Sequence, residues 1–212
     1  MPIRAAVTGL LLLLLTIASE LSAAESAYTT LNFDDSSCRQ IGDAPTEEDI
    51  SLGVVRLLCP GHRDYPVEYN SGDERTSVHY GDPSTATTES VWESFSPFNS
   101  VADKFEWRIE NGVPFAAIHR FMISTGEEEP APGTARGPVK GQVLVVSKVG
   151  QPGQPSGCVV GLVDALANPD ANELARKIAD ELARGFQCGR DKAVYHGKRG
   201  DKSADLQTNF RQ

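Results

Sequence analysis

The chain has few basic residues and no cluster of them. It carries 20 lysines and arginines against 29 aspartates and glutamates, which gives a formal net charge of -9. The nearest approach to a basic run is Lys198-Arg199, and Asp201 follows closely. Because phosphate binding requires clustered Lys and Arg, the composition argues against a nucleic-acid partner.

Long hydrophobic runs are absent after the N-terminal segment. That segment has a positive charge at Arg4, an apolar run over 9–18 and small residues at Ser22-Ala23-Ala24, the three parts of a secretory signal peptide. We therefore predict a signal peptide over residues 1–24, cleaved after Ala24. The apolar run is about half of the ~20 residues that span a bilayer. We expect no membrane anchor after cleavage, and a periplasmic or secreted protein.

No C-x-x-C spacing occurs among the four cysteines, Cys38, Cys59, Cys158 and Cys188. An even number of cysteines in an exported chain indicates disulfides, and three pairings are possible. We favour Cys38–Cys59 and Cys158–Cys188, because each pair then lies within one local unit. The chain-entropy model gives about 3–4 kcal/mol for loops of that size. A metal site is the alternative, and only His62 lies near a cysteine in sequence.

Sequence motifs of catalysis and cofactor binding are also absent. There is no G-x-S-x-G, no Walker-type and no dinucleotide-type glycine loop, so we expect no nucleotide cofactor. If all four cysteines are bridged, none is free to act as a nucleophile. His79 and His119 lie on predicted strands and could meet across a sheet as a metal pair or an acid–base pair. The alternative is that they are isolated strand residues, and we expect no metal.

The clearest local pattern is a β-hairpin over 105–122. Apolar and charged residues alternate up to Asn111-Gly112, a dipeptide that tolerates the positive φ values of a two-residue hairpin turn. Such a turn predicts Trp107 opposite Ala116 and Phe105 opposite Ile118. The predicted second face carries Arg108, Phe115, His119 and Phe121.

Other strands are predicted from β-branched and apolar runs, and they are separated by polar loops. The predicted strands are 28–33, 53–59, 74–80, 142–149 and 158–162. The predicted loops are 42–49, 82–100 and 124–141, and the last contains the acidic run Glu127-Glu128-Glu129.

An amphipathic helix is predicted near the C-terminus. Asn168 can cap it, Pro169 fits its first position, and Gly185 or Gly189 ends it. The cluster of oxygen-bearing side chains from Asp164 to Glu173 could instead bind calcium, although the EF-hand order is missing. Residues 189–212 have few apolar side chains and are predicted to be a disordered tail. The order of elements predicts the α+β class: one domain over 25–188 with an antiparallel β-sheet, a single C-terminal helix packed on it and two local disulfides.

Four segments resemble a group of exported alphaproteobacterial proteins to which no activity is assigned. They are CPG at 59–61, EWRIENGVPFAAIHR at 106–120, GQVLVVSK at 141–148 and VDALANPDANELA at 163–175. The resemblance covers most of residues 28 to 188. It implies a Gram-negative periplasmic setting and local cysteine pairing, and it implies no activity.

The candidate binding residues are the two histidines His79 and His119 and three aromatic residues. Trp92, Phe95 and Phe98 lie in a predicted loop, where they could line a ligand groove or could simply cover the second face of the sheet. We expect a non-enzymatic periplasmic module that binds a small ligand or a periplasmic protein. The alternatives are a hydrolase with a diffuse site around His79 or His119, and an inhibitor of a cationic enzyme that uses the acidic loop.

Overall fold

A computed structural model describes residues 24–33, 36–82, 91–124, 139–154 and 157–209. The predicted signal peptide before Ala24 and the acidic run 127–129 lie outside these residues, as do residues 83–90 of the predicted loop 82–100 and residues 125–138 of the predicted loop 124–141. The elements are β1 Glu25–Thr30, β2 Arg39–Gln40, α1 Glu47–Ser51, β3 Val55–His62, β4 Tyr65–Gly72, β5 Arg75–Tyr80, β6 Glu93–Phe95, β7 Asn99–Glu110, β8 Val113–Ser124, β9 Val139–Lys148, β10 Val159–Asp164, α2 Ala171–Leu182, β11 Val194–Tyr195 and β12 Leu206–Thr208.

Two sheets enclose the main hydrophobic core between them. The larger sheet has the order β1-β7-β8-β9-β10-β11, and the smaller has the order β2-β3-β4-β5. Val67 and Tyr80 of the smaller sheet join Phe105 and Trp107 of the larger one in this core. Trp107 is fully buried, and its Nε1 donates to Thr29 Oγ1 at 2.8 Å, so that the one polar atom of its ring has a partner. The protein is therefore sheet-dominated, within the α+β class.

The hairpin of β7 and β8 forms at the predicted turn, but its register differs from the prediction. Asn111 and Gly112 have φ values of 52° and 78°, and Glu110 pairs with Val113. The register of the two strands then shifts by one residue: Ile109 pairs with Pro114, whereas Arg108 pairs with Ala116. Proline has no N–H to donate to the ladder and is commonly found at bulges. The bulge leaves Phe115 unpaired.

This bulge exchanges the two faces of β8 relative to the prediction. Trp107 lies opposite Ala117 instead of Ala116, and Phe105 lies opposite His119 instead of Ile118. His119 and Phe121 consequently face the core between the sheets. The predicted mixed second face is wrong, because a one-residue shift moves every later side chain to the other side.

Helix α2 packs on the other face of the larger sheet. Its buried residues Ala175 and Ile178 lie against Ile118, Leu144 and Val146 in a second hydrophobic cluster. The helix starts later than predicted, at Ala171 with Asp170 as its N-cap residue. It is not the only helix, because the five-residue α1 begins inside the predicted acidic loop 42–49 and extends to Ser51, and a capping box between Thr46 and Asp49 forms its N-terminus. Neither described helix is long and apolar enough to cross a membrane.

The segment after residue 188 is ordered in its described part, contrary to the prediction of a disordered tail. Strand β11 pairs in parallel with Gly161 and Leu162 of β10, so the larger sheet is not wholly antiparallel. Strand β12 pairs with β6 in a separate two-stranded ribbon. Ala204 of this segment is buried in the main core, Tyr195 and Leu206 pack against it, and polar contacts add to this packing. Asn168 binds the backbone N–H and carbonyl of Lys198 at 2.9 and 2.7 Å, and Asp164 Oδ2 accepts from Gly200 N at 2.9 Å.

Both disulfides form with the predicted pairing. Cys38 is joined to Cys59, which ties the start of β2 to β3. Cys158 is joined to Cys188, which ties the start of β10 to the segment after α2. No cysteine is free. The second disulfide forms part of the site described next.

Candidate functional site

A pocket of about 240 Å³ opens between the β6–β12 ribbon and the start of β10. Its lining combines one buried carboxyl group, an apolar wall and an exposed charged turn. The lining residues are Glu93, Cys158, Val159, Phe186, Gly189, Arg190, Asp191, Lys192, Ala193, Leu206 and Thr208. The cavity therefore brings together residues that are far apart in sequence: Glu93, Cys158 and Val159, the segment 186–193, and strand β12. We call it the Glu93 pocket.

Glu93 is held at both its backbone and its side chain. Its backbone N–H donates to Ser77 Oγ at 3.0 Å, which fixes β6 against β5. Its carboxylate oxygen Oε2 accepts from Val159 N at 2.8 Å. Strand β11 pairs only with Gly161 and Leu162 of β10, so the N–H of Val159 needs another acceptor when it is buried. Glu93 supplies that acceptor.

Burial changes the acid–base behaviour of Glu93. The side chain is only 5% exposed, and burial raises the pKa of its carboxyl group to about 7, against a smaller lowering by the hydrogen bond from Val159. No arginine or lysine forms a described ion pair with it. Near neutral pH the carboxyl group is therefore divided between its neutral and charged forms, and it can donate or accept a hydrogen bond in the pocket.

The wall and the rim of the Glu93 pocket differ in character. The wall is apolar: it contains the half-buried side chains of Phe186, Ala193 and Leu206, together with Cys158. The rim is the exposed turn that carries Arg190, Asp191 and Lys192. Asp191 Oδ2 accepts from the backbone N–H of Gln187 at 2.8 Å, which holds this turn in place. The arrangement suits a small molecule with an apolar body and at least one polar group.

The three predicted aromatic binding residues do not form one groove. Phe95 is a core residue, 1% exposed, whose ring lies 5.6 Å from that of Phe121. Phe98 is half-buried under the guanidinium of Arg75, at 4.9 Å. Trp92 is also half-buried, and its backbone is paired with Asn209. Phe95 therefore packs in the core, and Phe98 packs against Arg75.

His79 and His119 belong to different sheets and do not come together. His119 is 1% exposed in the core between the sheets, where Nδ1 lies 2.7 Å from Tyr80 Oη and Nε2 lies 2.5 Å from the Ala102 carbonyl oxygen. Burial lowers the pKa of His119 to about 4, although the bond to Ala102 acts in the opposite direction. His119 is therefore a neutral structural residue near pH 7.

His79 lies on the outer face of the smaller sheet, next to two polar side chains. Its Nε2 is 3.2 Å from Ser77 Oγ, and Glu68 is its cross-strand neighbour. Burial lowers the pKa of His79, and the charge of Glu68 partly offsets this. Serine, histidine and a carboxylate are the parts of a hydrolase triad. However, Ser77 is fully buried and its Oγ already accepts the backbone N–H of Glu93, which leaves no accessible nucleophile.

Metal binding has no support in the part of the chain that the structure describes, where no group of three or more His, Cys, Asp or Glu could hold an ion. The oxygen cluster considered for calcium is used internally. Asp164 Oδ1 accepts the backbone N–H groups of Leu166 and Ala167, at 2.9 and 3.1 Å, and Asn168 binds Lys198. These contacts explain Asp164 and Asn168 without a ligand.

Glu93 itself was not a predicted site residue. The signal in the sequence is weak: Glu93 is the one charged residue in the run from Val91 to Phe98, whose other residues are apolar, aromatic or serine. An acidic residue in such a run is either exposed or buried with a partner. The partner, Val159, is 66 residues away in sequence, so local reasoning could not find the pair.

The chain was also compared with known proteins. No protein-family model, no curated protein and no solved structure matches it. The geometry of the Glu93 pocket is therefore the observation from which a function can be inferred.

Proposed function

We propose that this protein is a non-enzymatic binding protein that holds a small, largely apolar molecule in the Glu93 pocket. The observation that carries the proposal is a buried carboxyl group with a pKa near 7 in an apolar cavity. Burying such a group costs free energy, and a ligand that hydrogen-bonds to it recovers part of that cost. Specific pockets commonly combine apolar walls with a few placed polar groups.

The size and lining of the pocket define the ligand class. At about 240 Å³, the cavity is smaller than the roughly 300–1,000 Å³ of sites for drug-sized molecules. One or two rings, or a short branched chain, would fill it. The ligand should carry a hydroxyl, carbonyl or amine group for Glu93, and a polar end can reach Arg190 or Lys192 at the rim.

We further propose that the protein works after export, in the periplasm or outside the cell. Two disulfides and no free cysteine are compatible with an oxidising compartment. Cleavage after Ala24 would leave β1, which starts at Glu25, whole in the mature protein. The sequence resemblance to exported alphaproteobacterial proteins points the same way and stays a prediction.

The hydrolase alternative has less support than binding. It needs an open site with a histidine and a nucleophile, whereas His119 is enclosed in the core and Ser77 is fully buried. The inhibitor alternative depends on the acidic run 127–129, which lies outside the described residues. Neither alternative uses the Glu93 pocket.

The test is to block the pocket from the exposed strand β12. Thr208 is exposed and lines the pocket, so Thr208→Trp should fill the cavity without disturbing the core. The probe is 2-naphthol, a small neutral aromatic molecule with one hydroxyl group, followed by fluorescence and by ligand-detected NMR. We expect saturable binding to the wild-type protein, and affinity reduced at least about tenfold in Thr208→Trp, as expected for a ligand that loses most of its burial.

The neighbouring residue provides a matched control. Gln207 is also exposed, but it pairs with Ser94 and does not line the pocket, because successive residues of a strand point to opposite sides. Gln207→Trp should therefore bind 2-naphthol as the wild type does. The proposal fails if the wild-type protein does not bind the probe, or if both tryptophan variants bind it equally well.

A further inference from the structure

We propose that a second site, on the face of the larger sheet that α2 partly covers, binds a small anion with a carboxylate or phosphate group. The site is a groove beside α2, in which the anion would contact the cationic side chains of Lys104 and Arg120. It is separate from the Glu93 pocket, with which it shares no lining residue. We call it the cationic groove.

The groove arises because α2 is shorter than the sheet beneath it. The helix covers Ala116, Ile118 and Leu144 with apolar contacts, and the sheet extends past its N-terminal half. The resulting cavity is about 280 Å³. It is lined by Tyr28, Lys104, Phe105, Glu106, Ile118, Arg120, Leu144, Asn172 and Arg176.

The acidic residue of the groove is already neutralised. Both carboxylate oxygens of Glu106 accept hydrogen bonds from the guanidinium of Arg176, at 2.8 and 3.0 Å. Its Oε1 atom also accepts a hydrogen bond from Ser26 Oγ, at 2.6 Å. Burial alone would raise the pKa of Glu106, but these bonds and the charge of Arg108 outweigh burial and lower that pKa. Arg108 in turn donates to both oxygens of Asp180, at 2.9 and 2.7 Å. These four side chains carry equal numbers of positive and negative charges.

Lys104 and Arg120 are the cationic residues of the groove that do not belong to this group of paired charges. The ammonium of Lys104 lies over the ring of Tyr28, 4.6 Å from its centroid, and Arg120 donates to the neutral amide oxygen of Gln142 at 2.8 Å. Neither forms an ion pair with a carboxylate in the described ranges. Phe105 pairs with His119. Lys104 and Arg120 are the adjacent residues on the two strands, and they therefore place two positive charges in the same groove.

Like charges on neighbouring strands repel each other and destabilise a sheet. The protein has a net charge of -9, yet among the residues that the structure describes, Glu106 is the only acidic one that lines this groove. An anion bound between Lys104 and Arg120 would remove the repulsion. The planar fork of a guanidinium suits carboxylate and phosphate oxygens, and the amide of Asn172 lies within the same lining.

The experiment titrates the disulfide-bonded protein with inorganic phosphate and, separately, with citrate, by calorimetry at low ionic strength. We expect saturable binding of at least one anion, and the comparison of the two distinguishes phosphate from carboxylate recognition. Arg120→Gln should weaken binding by about tenfold or more, as expected for the loss of a charged hydrogen bond. Lys104→Gln is the second variant, and melting temperatures verify that both variants fold.

The matched control is Lys177→Gln. Lys177 lies on α2, exposed, with only a 3.9 Å contact to Glu181, and it does not line the groove. This variant should bind anions as the wild type does, and so should Thr208→Trp, which blocks only the Glu93 pocket. The inference is overturned if neither anion binds saturably, or if Lys177→Gln weakens binding as much as Arg120→Gln does, since that would show a diffuse effect of charge.

Discussion

Replacing Glu93 by glutamine should change how the stability of the protein depends on pH. Glutamine has nearly the same shape, and its side-chain oxygen can still accept the hydrogen bond from Val159 N. The substitution therefore removes the titration of Glu93 and retains its contact. The expected change in the pH dependence of stability follows from the difference between the pKa of Glu93 in the native state and its pKa in the unfolded chain.

The native state holds the proton of Glu93 more tightly than the unfolded state does. The native pKa is about 7, raised from a reference value of 4.5. Between these values the native state binds more protons, so this group makes the free energy of unfolding fall as pH rises. Its contribution is complete below about pH 4.5 and lost above about pH 7. The difference corresponds to about 3 kcal/mol, which applies with little screening because Glu93 is only 5% exposed.

His119 has the opposite effect over an overlapping range. Its pKa falls from 6.5 to about 4 in the native state. Between these values the unfolded chain binds the additional proton, so this group makes stability rise with pH. The two contributions oppose each other between about pH 4.5 and 6.5, and the wild-type profile alone would hide both.

The assay is therefore a comparison of variants by urea unfolding at several pH values from 4 to 8. The free energy of unfolding of Glu93→Gln, minus that of the wild type, should increase by about 3 kcal/mol across this range. The corresponding difference for His119→Gln should change in the opposite direction. A Glu93→Gln difference that varies by less than about 0.5 kcal/mol would show that the carboxyl group is not held in an apolar environment, and would remove the basis of the pocket's proposed chemistry.

Two further predictions concern the hairpin and the second disulfide. Gly112→Val should destabilise the protein by about 1–2 kcal/mol, because Gly112 has a φ of 78° and β-branched residues are strained there. Gly185→Val, at an exposed site with a Cβ position free of contacts, should cost less, and equal melting temperatures would argue against the turn. Cys188→Ser should lower the free energy of unfolding by about 2–5 kcal/mol. Urea unfolding measures this loss, and an unchanged midpoint would show that the Cys158–Cys188 bond does not stabilise the fold.

The features that the sequence predicted correctly are those with local causes. The Asn111-Gly112 turn needs only the conformational freedom of two residues. The pairing of Cys158 with Cys188 was favoured because one predicted strand and one predicted helix place them close together. The apolar stripe of α2 repeats at helical spacing and is recognisable within that segment.

The missed strands lack such local signals. Strand β4 is bounded by turns in which Arg63, Asp73 and Glu74 have positive φ values of 52°, 49° and 55°. Arginine and glutamate rarely adopt this conformation, so Arg63 and Glu74 do not indicate these turns in the way that the Asn-Gly pair indicates the turn at 111–112. Strand β3 is predicted, but only as far as Cys59; in the structure it continues through Pro60-Gly61 to His62 with an irregular register. At Gly61 a Cβ atom would lie 2.1 Å from the carbonyl oxygen of Tyr65, so this glycine permits close approach and does not end the strand.

The candidate site depends on the element that local reasoning predicted least well. Leu206 and Thr208 form one wall of the Glu93 pocket, and they belong to the segment predicted to be disordered. Asp164 and Asn168, at the end of β10 and before α2, hold the backbone of that segment around Lys198 and Gly200, and Ala204 packs in the main core. The same two residues resemble a helix cap or a calcium ligand when only the sequence is considered. Their actual contacts connect the end of β10 and the start of α2 to the segment that leads into β12, so the position of this pocket wall depends on polar contacts as well as on the hydrophobic core.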